Sequence, residues 1–131
     1  MIAYSRFLRI FARCNFAVCA LLTICGYIMP DQIRGDKPLN WVGAAVVLFS
    51  FGLMLVLMVI YHIKLGNSAA MDLIRFTPLN ITLYLVLGAH AGYRLFFCHA
   101  APGSKLMATL ALSLLLNLSG IIMTNNYLKS K

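Results

Sequence analysis

Long apolar runs without any Asp, Glu, Lys or Arg dominate the sequence. Four runs of this kind contain 17, 26, 18 and 23 residues, and they cover positions 14–30, 38–63, 76–93 and 106–128. A helix that crosses about 30 Å of hydrocarbon needs roughly 17–25 mostly apolar residues. All four runs reach this length, and the first extends backwards because 7–12 is apolar apart from Arg9.

The pattern predicts an all-α integral membrane protein: a bundle of four transmembrane helices joined by short loops. We expect a single transmembrane domain over residues 1–131. The expected spans are about 8–29, 41–63, 79–98 and 106–126. A short helix over about 68–76 is expected to lie flat on the membrane surface, because Ser68 is a suitable N-cap and Pro78 ends the segment.

The composition excludes an ordinary soluble domain and argues against nucleic-acid binding. Hydrophobic residues make up 62% of the chain and charged residues 11%, whereas soluble domains average about 25% charged residues. The net charge is +8, but the basic residues flank the apolar runs, where they anchor helices to lipid headgroups. The residues expected to act as headgroup anchors are Arg6, Arg9, Arg13 and Arg94.

The distribution of basic residues predicts the orientation. With four spans, one side carries seven basic residues, namely Arg6, Arg9, Arg13, Lys64, Arg75, Lys129 and Lys131. The other side carries four, namely Arg34, Lys37, Arg94 and Lys105. The positive-inside rule therefore predicts that both termini lie in the cytosol or an organelle matrix. A bacterial inner membrane and the mitochondrial inner membrane both fit this pattern.

The third predicted span contains a small-residue motif. Gly88 and Gly92 are four residues apart, so they lie on one face of a helix, and Ala89 and Ala91 adjoin them. Small residues at this spacing let two helix backbones approach closely in lipid. We expect this face to pack against another membrane protein.

The fourth predicted span carries a polar stripe. Thr109, Ser113 and Asn117 follow each other at four-residue intervals and share a helix face. Polar side chains inside a membrane usually form hydrogen bonds across helices. The stripe is therefore interpreted as contacts that hold helices together.

The histidines are the candidates for chemistry. A b-type haem between membrane helices needs two axial ligands at matching depth, but His62, His90 and His99 are expected at three different depths. The mismatch argues against a haem held by this chain alone. His90 leaves an alternative open, in which the chain anchors an oxidoreductase and His90 contacts a haem or quinone shared with a partner.

The sequence lacks signatures of catalysis or ion-coupled transport. It contains no Glu, its three Asp lie in loops, and it has no HExxH, phosphate-binding loop or GxSxG motif. Coupled transport usually relies on a carboxylate within the membrane, and the predicted spans contain none. This absence counts against a small homo-oligomeric transporter or channel, which is kept as the third alternative.

The prediction for function is a small non-catalytic subunit that packs against and stabilises a larger membrane complex, with respiratory and energy-coupling complexes as candidate settings. We expect the chain to hold no cofactor of its own. The expected partners are other membrane protein subunits and lipids, and neither a nucleic acid nor a soluble substrate is expected.

Overall fold

The structure, a computed structural model, describes residues 2–33, 37–66, 77–97 and 104–129. These residues form four α-helices, namely α1 (Ile2–Ile28), α2 (Pro38–Leu65), α3 (Pro78–Gly92) and α4 (Ser104–Lys129). A 3₁₀ helix, Pro30–Ile33, follows α1, and a π-helical turn, Tyr93–Phe97, continues α3. The all-helical prediction is confirmed.

Three of the helices are long and apolar enough to cross a membrane: Ile2–Ile28, Pro38–Leu65 and Lys105–Lys129. Helix α3 has 15 residues, which corresponds to about 22 Å at the usual rise per residue, short of the hydrocarbon thickness of about 30 Å. It is short because the α-helical hydrogen bonding changes to the π-helical turn at Tyr93. The predicted four-span bundle is therefore not confirmed. The surface helix expected over 68–76 lies outside the described residues.

Helix α4 is the centre of the bundle. In the most apolar 18-residue stretch of each helix, 67% of α4 is buried, against 17% of α1 and 22% of α2. Helix α4 also packs against each of the other three α-helices. In lipid, helices associate through close packing and hydrogen bonds and not through the hydrophobic effect. The small and polar residues of α4 suit both kinds of contact.

The bundle has two ends, which we name by what lies there. At the terminal end α1 begins while α2 and α4 finish. Here the Tyr4 hydroxyl donates to the carbonyl of Leu57 at 2.7 Å, Ser5 bonds Tyr61 at 2.9 Å, and the ring of Tyr127 meets that of Tyr61 edge-on. At the opposite, loop end, α1 finishes while α2 and α4 begin.

Three glycines allow the helices of this chain to approach each other. A Cβ atom on Gly26 would lie 2.6 Å from the sulfur of Met107, and one on Gly43 would lie 2.9 Å from a methyl of Leu106. A Cβ on Gly120 would collide with the terminal methyl of Met54. Each contact joins α4 to α1 or α2, so at these positions the side chains of Met107, Leu106 and Met54 pack directly against a glycine.

Candidate functional site

Helix α3 and the helices beneath it form the candidate site. The Thr77 side chain caps the helix by accepting a hydrogen bond from the backbone N–H of Asn80 at 3.2 Å. Pro78 stands at the first helical position, where its missing N–H costs nothing. Farther along, the hydroxyls of Tyr84 and Ser119 are 2.7 Å apart and join α3 to α4.

The inner face of α3 also reaches α1 through a polar cluster, which we call the Tyr27 cluster. The Tyr27 hydroxyl lies within hydrogen-bond distance of Nε2 of His90. Nε of Arg94 donates to the same hydroxyl at 3.2 Å, and its guanidinium carbon lies 4.7 Å from the centre of the Tyr27 ring. A cation over an aromatic face at this distance is attracted by the ring quadrupole. The cluster therefore fixes the loop end of α3 to the end of α1.

This geometry limits what His90 can do chemically. A haem iron takes one imidazole nitrogen as ligand, and Nε2 of His90 is already bonded to Tyr27. An iron on Nε2 would have to displace that bond. No group of three or more His, Cys, Asp or Glu residues that could hold a metal ion occurs in the described part of the chain, and His99 lies outside that part.

The outer face of α3 carries the two glycines of the small-residue motif. A Cβ atom added to Gly88 or to Gly92 would meet no atom within 4 Å in the described part of the chain. Their neighbours Leu85 and Val86 are 68% and 61% exposed. The motif therefore makes no close helix contact with the described residues, unlike Gly26, Gly43 and Gly120.

The polar stripe on α4 divides between two environments. Ser113 and Asn117 are fully buried, whereas Thr109 is exposed and donates to backbone carbonyls of its own helix. Of these three residues, Ser113 makes the contact across helices, with its hydroxyl 3.2 Å from that of Ser50 on α2. The amide nitrogen of Asn117 donates to the carbonyl of Ser113 within α4.

A buried polar cluster lies where α1, α2 and α4 meet, and the sequence predicted only half of it. It consists of Cys19, Ser50, Ser113 and Asn117, with the Cys19 sulfur 3.5 Å from the Ser113 hydroxyl. Oδ1 of Asn117 is buried and has no hydrogen-bond partner in the described part of the chain. Ser50 and Cys19 are single small residues in apolar runs, so no repeat marks them in the sequence.

The arginines expected to anchor the chain differ in their surroundings. Arg94 belongs to the Tyr27 cluster. Arg13 donates to Oδ1 of Asn125 at 3.4 Å. Arg6 and Arg9 line a notch between the start of α1 and the end of α4. The four residues are therefore not equivalent, and Arg6 and Arg9 lie together in this notch.

Comparison with known proteins found no matching protein family, no similar curated protein and no similar solved structure. The described residues support a helical protein of the membrane type, with three helices that could span the bilayer.

Proposed function

We propose that this chain is a small, non-catalytic membrane subunit that packs against a larger membrane protein through the outer face of α3. The observation that carries the proposal is that a Cβ added to Gly88 or Gly92 would meet no atom of the described residues within 4 Å. Glycine in a helix interior costs about 1 kcal/mol relative to alanine. Gly26, Gly43 and Gly120 offset this cost by close contacts within the chain. Gly88 and Gly92 have no such contact with the described residues, and their four-residue spacing is the one that lets an outside helix approach closely. Gly52 is equally open but stands alone, with Leu48 and Val56 four residues away.

The inner face of α3 supports the proposal because it holds the helix in one rotation. Tyr84 is bonded to Ser119 of α4, and His90 is bonded to Tyr27 of α1. His90 is two residues from each glycine, so it lies about 200° around the helix from both. Tyr84 lies one turn before Gly88, on the same side of the helix. Gly88 and Gly92 therefore lie at the border between the packed and the exposed sides of α3, and Gly88 is exposed there.

We also propose that the chain crosses the membrane four times, with α3 and its π-helical turn as the third crossing. Helix α2 finishes at the terminal end and α4 begins at the loop end, where Leu106 meets Gly43. The chain must therefore return across the bundle between residues 66 and 104, and α3 runs along α4 on this path. Both termini would then share the cytosolic or matrix side of a bacterial or mitochondrial inner membrane.

Three glycine substitutions test the proposed packing. Gly88→Leu and Gly92→Leu place a large side chain at this contact, and we expect each to release the chain from its partner while leaving it folded and inserted. Gly52→Leu is the matched control, because no atom of the described residues lies within 4 Å of a Cβ added to Gly52 on α2, and Gly52 has no small residue four positions away. Co-purification from mild detergent is the measurement. Partner recovery at the wild-type level with both α3 variants would contradict the proposal, as would equal loss with Gly52→Leu.

A further inference from the structure

We propose that a notch at the terminal end of the bundle binds the phosphate of an anionic phospholipid. The notch is lined by Ile2, Arg6, Arg9 and Leu128, and its volume is about 260 Å³. It lies between the first turns of α1 and the last turn of α4. This site is separate from the two glycines of α3 and does not depend on the proposed function.

The size of the notch suits a headgroup rather than a whole cofactor. One water molecule occupies about 30 Å³ in the liquid, and pockets for drug-sized ligands usually measure about 300–1,000 Å³. The volume of about 260 Å³ therefore has room for a phosphate group and the atoms next to it. The lining joins two guanidinium groups to two aliphatic side chains, a combination that matches the polar and apolar parts of a lipid at the membrane surface.

Arg9 provides the second observation. Its Nε atom is buried and has no hydrogen-bond partner in the described part of the chain. Buried polar groups nearly always have a partner, and an arginine presents its N–H groups in a fork that matches two phosphate oxygens. Because Nε is covered by the protein itself, a phosphate in the notch would bond the terminal nitrogens of the Arg9 guanidinium. Arg6 would contribute a second positive charge from the preceding turn of the same helix.

The charge around the notch favours an anionic lipid. The terminal end also carries Arg13, Lys64 and Lys129, with Lys64 stacked 5.2 Å from the centre of the Tyr4 ring. Among the described residues the sole acid is Asp31, which follows α1 at the loop end. Each basic residue near a membrane surface adds to the attraction for anionic lipids.

The surroundings favour a lipid over free inorganic phosphate. Ile2 is 44% exposed beside the arginines, and the ends of membrane-spanning helices lie at the level of the headgroups. A lipid places its phosphate at this level and its glycerol and acyl carbons against aliphatic side chains. A free phosphate ion would gain nothing from Ile2 and Leu128.

The test measures lipid retention by the full-length chain. The chain is purified in an uncharged detergent, dioleoyl phosphatidylglycerol or dioleoyl phosphatidylcholine is added, and bound lipids are counted by native mass spectrometry. The variants are Arg6→Gln and Arg9→Gln. Arg13→Gln is the control, since it removes the same charge at the same end from outside the notch. Arg9→Lys keeps the charge and loses the fork, and circular dichroism verifies that each variant is folded.

We expect the wild-type chain to bind one phosphatidylglycerol in preference to phosphatidylcholine. Arg6→Gln and Arg9→Gln should weaken this binding by about tenfold to a hundredfold, as expected for lost charge-assisted hydrogen bonds. Arg13→Gln should weaken it by about fivefold or less, the effect of one charge near a surface, and Arg9→Lys should fall between.

Three results would overturn the proposal. Equal losses with Arg9→Gln and Arg13→Gln would mean that only the general charge attracts lipid. Equal retention of the two lipids by the wild-type chain would remove the preference for an anionic lipid. Displacement of the bound lipid by millimolar inorganic phosphate would assign the notch to the free ion.

Discussion

The hydroxyl of Tyr27 on α1 is hydrogen-bonded to Nε2 of His90 on α3. This bond turns a polar residue of α3 towards its own chain, in a part of the molecule where apolar side chains such as Leu85 and Phe96 are widely exposed. Together with the bond between Tyr84 and Ser119, this contact sets the rotation of α3. The exposure of Gly88 therefore depends on both contacts.

The Tyr27 cluster should contribute measurably to the packing of α3. We expect Tyr27→Phe to lower the free energy of unfolding by roughly 0.6 kcal/mol, and by at most about 2 kcal/mol, the range for hydrogen bonds between membrane helices. Unfolding in a denaturing detergent measures the loss. In a double-mutant cycle with His90→Ala, the two losses should be less than additive. Fully additive losses would contradict a direct bond between Tyr27 and His90.

The buried amide of Asn117 should tolerate an apolar replacement better than a charged one. Its Oδ1 has no partner in the described part of the chain, so Asn117→Leu removes an unsatisfied acceptor and should change the free energy of unfolding by about 1.5 kcal/mol or less. Asn117→Asp has nearly the same shape but introduces a charge into a buried position, and should cost at least about 3 kcal/mol. Equal destabilisation by the two variants would show that the amide has a role that this structure does not account for.

Glycine substitutions should separate packing within the chain from packing against a partner. Gly120→Leu inserts a side chain where Met54 already packs, and we expect overpacking to cost about 1–3 kcal/mol or more. Gly88→Leu inserts the same side chain where no described residue lies within 4 Å of the added Cβ, and it should leave the stability of the isolated chain unchanged or slightly raised. Thermal denaturation of both variants in one detergent makes the comparison. A large loss with Gly88→Leu would show that this face is already packed within the chain.

The visible absorption spectrum tests the alternative in which His90 binds a cofactor. Because Nε2 of His90 bonds Tyr27, we expect the purified chain to show no haem absorption band, either alone or after His90→Ala. A haem band in the wild-type complex that disappears with His90→Ala would favour the oxidoreductase anchor. Tyr27→Phe would then be expected to alter the band as well.

The fold class was predictable because helices that cross lipid require long charge-free runs, and these are visible in the sequence. The number of crossings was not confirmed, because hydropathy does not show where α-helical hydrogen bonding changes to a π-helical turn, as it does at Tyr93. The α4 positions Ser113 and Asn117 were found from their spacing. Their neighbours Cys19 and Ser50 were missed, since a single small polar residue has no periodicity.

The roles of the glycines were only partly predictable for a similar reason. The sequence shows that Gly88 and Gly92 share a face, but not what that face contacts. Gly120 has no glycine partner at four-residue spacing, yet it is the residue against which Met54 packs. Whether a glycine serves its own chain or another depends on the rotation of the helix, which contacts such as Tyr27 to His90 determine.

The most direct test of the proposed function is purification of a tagged chain in mild detergent, followed by mass spectrometry of every protein that remains bound. The proposal predicts at least one foreign membrane subunit in a fixed stoichiometry, and depletion of that subunit in the Gly88→Leu sample. A chain recovered alone, or as a homo-oligomer without a foreign subunit, would contradict the proposal and favour a self-associating transporter or channel.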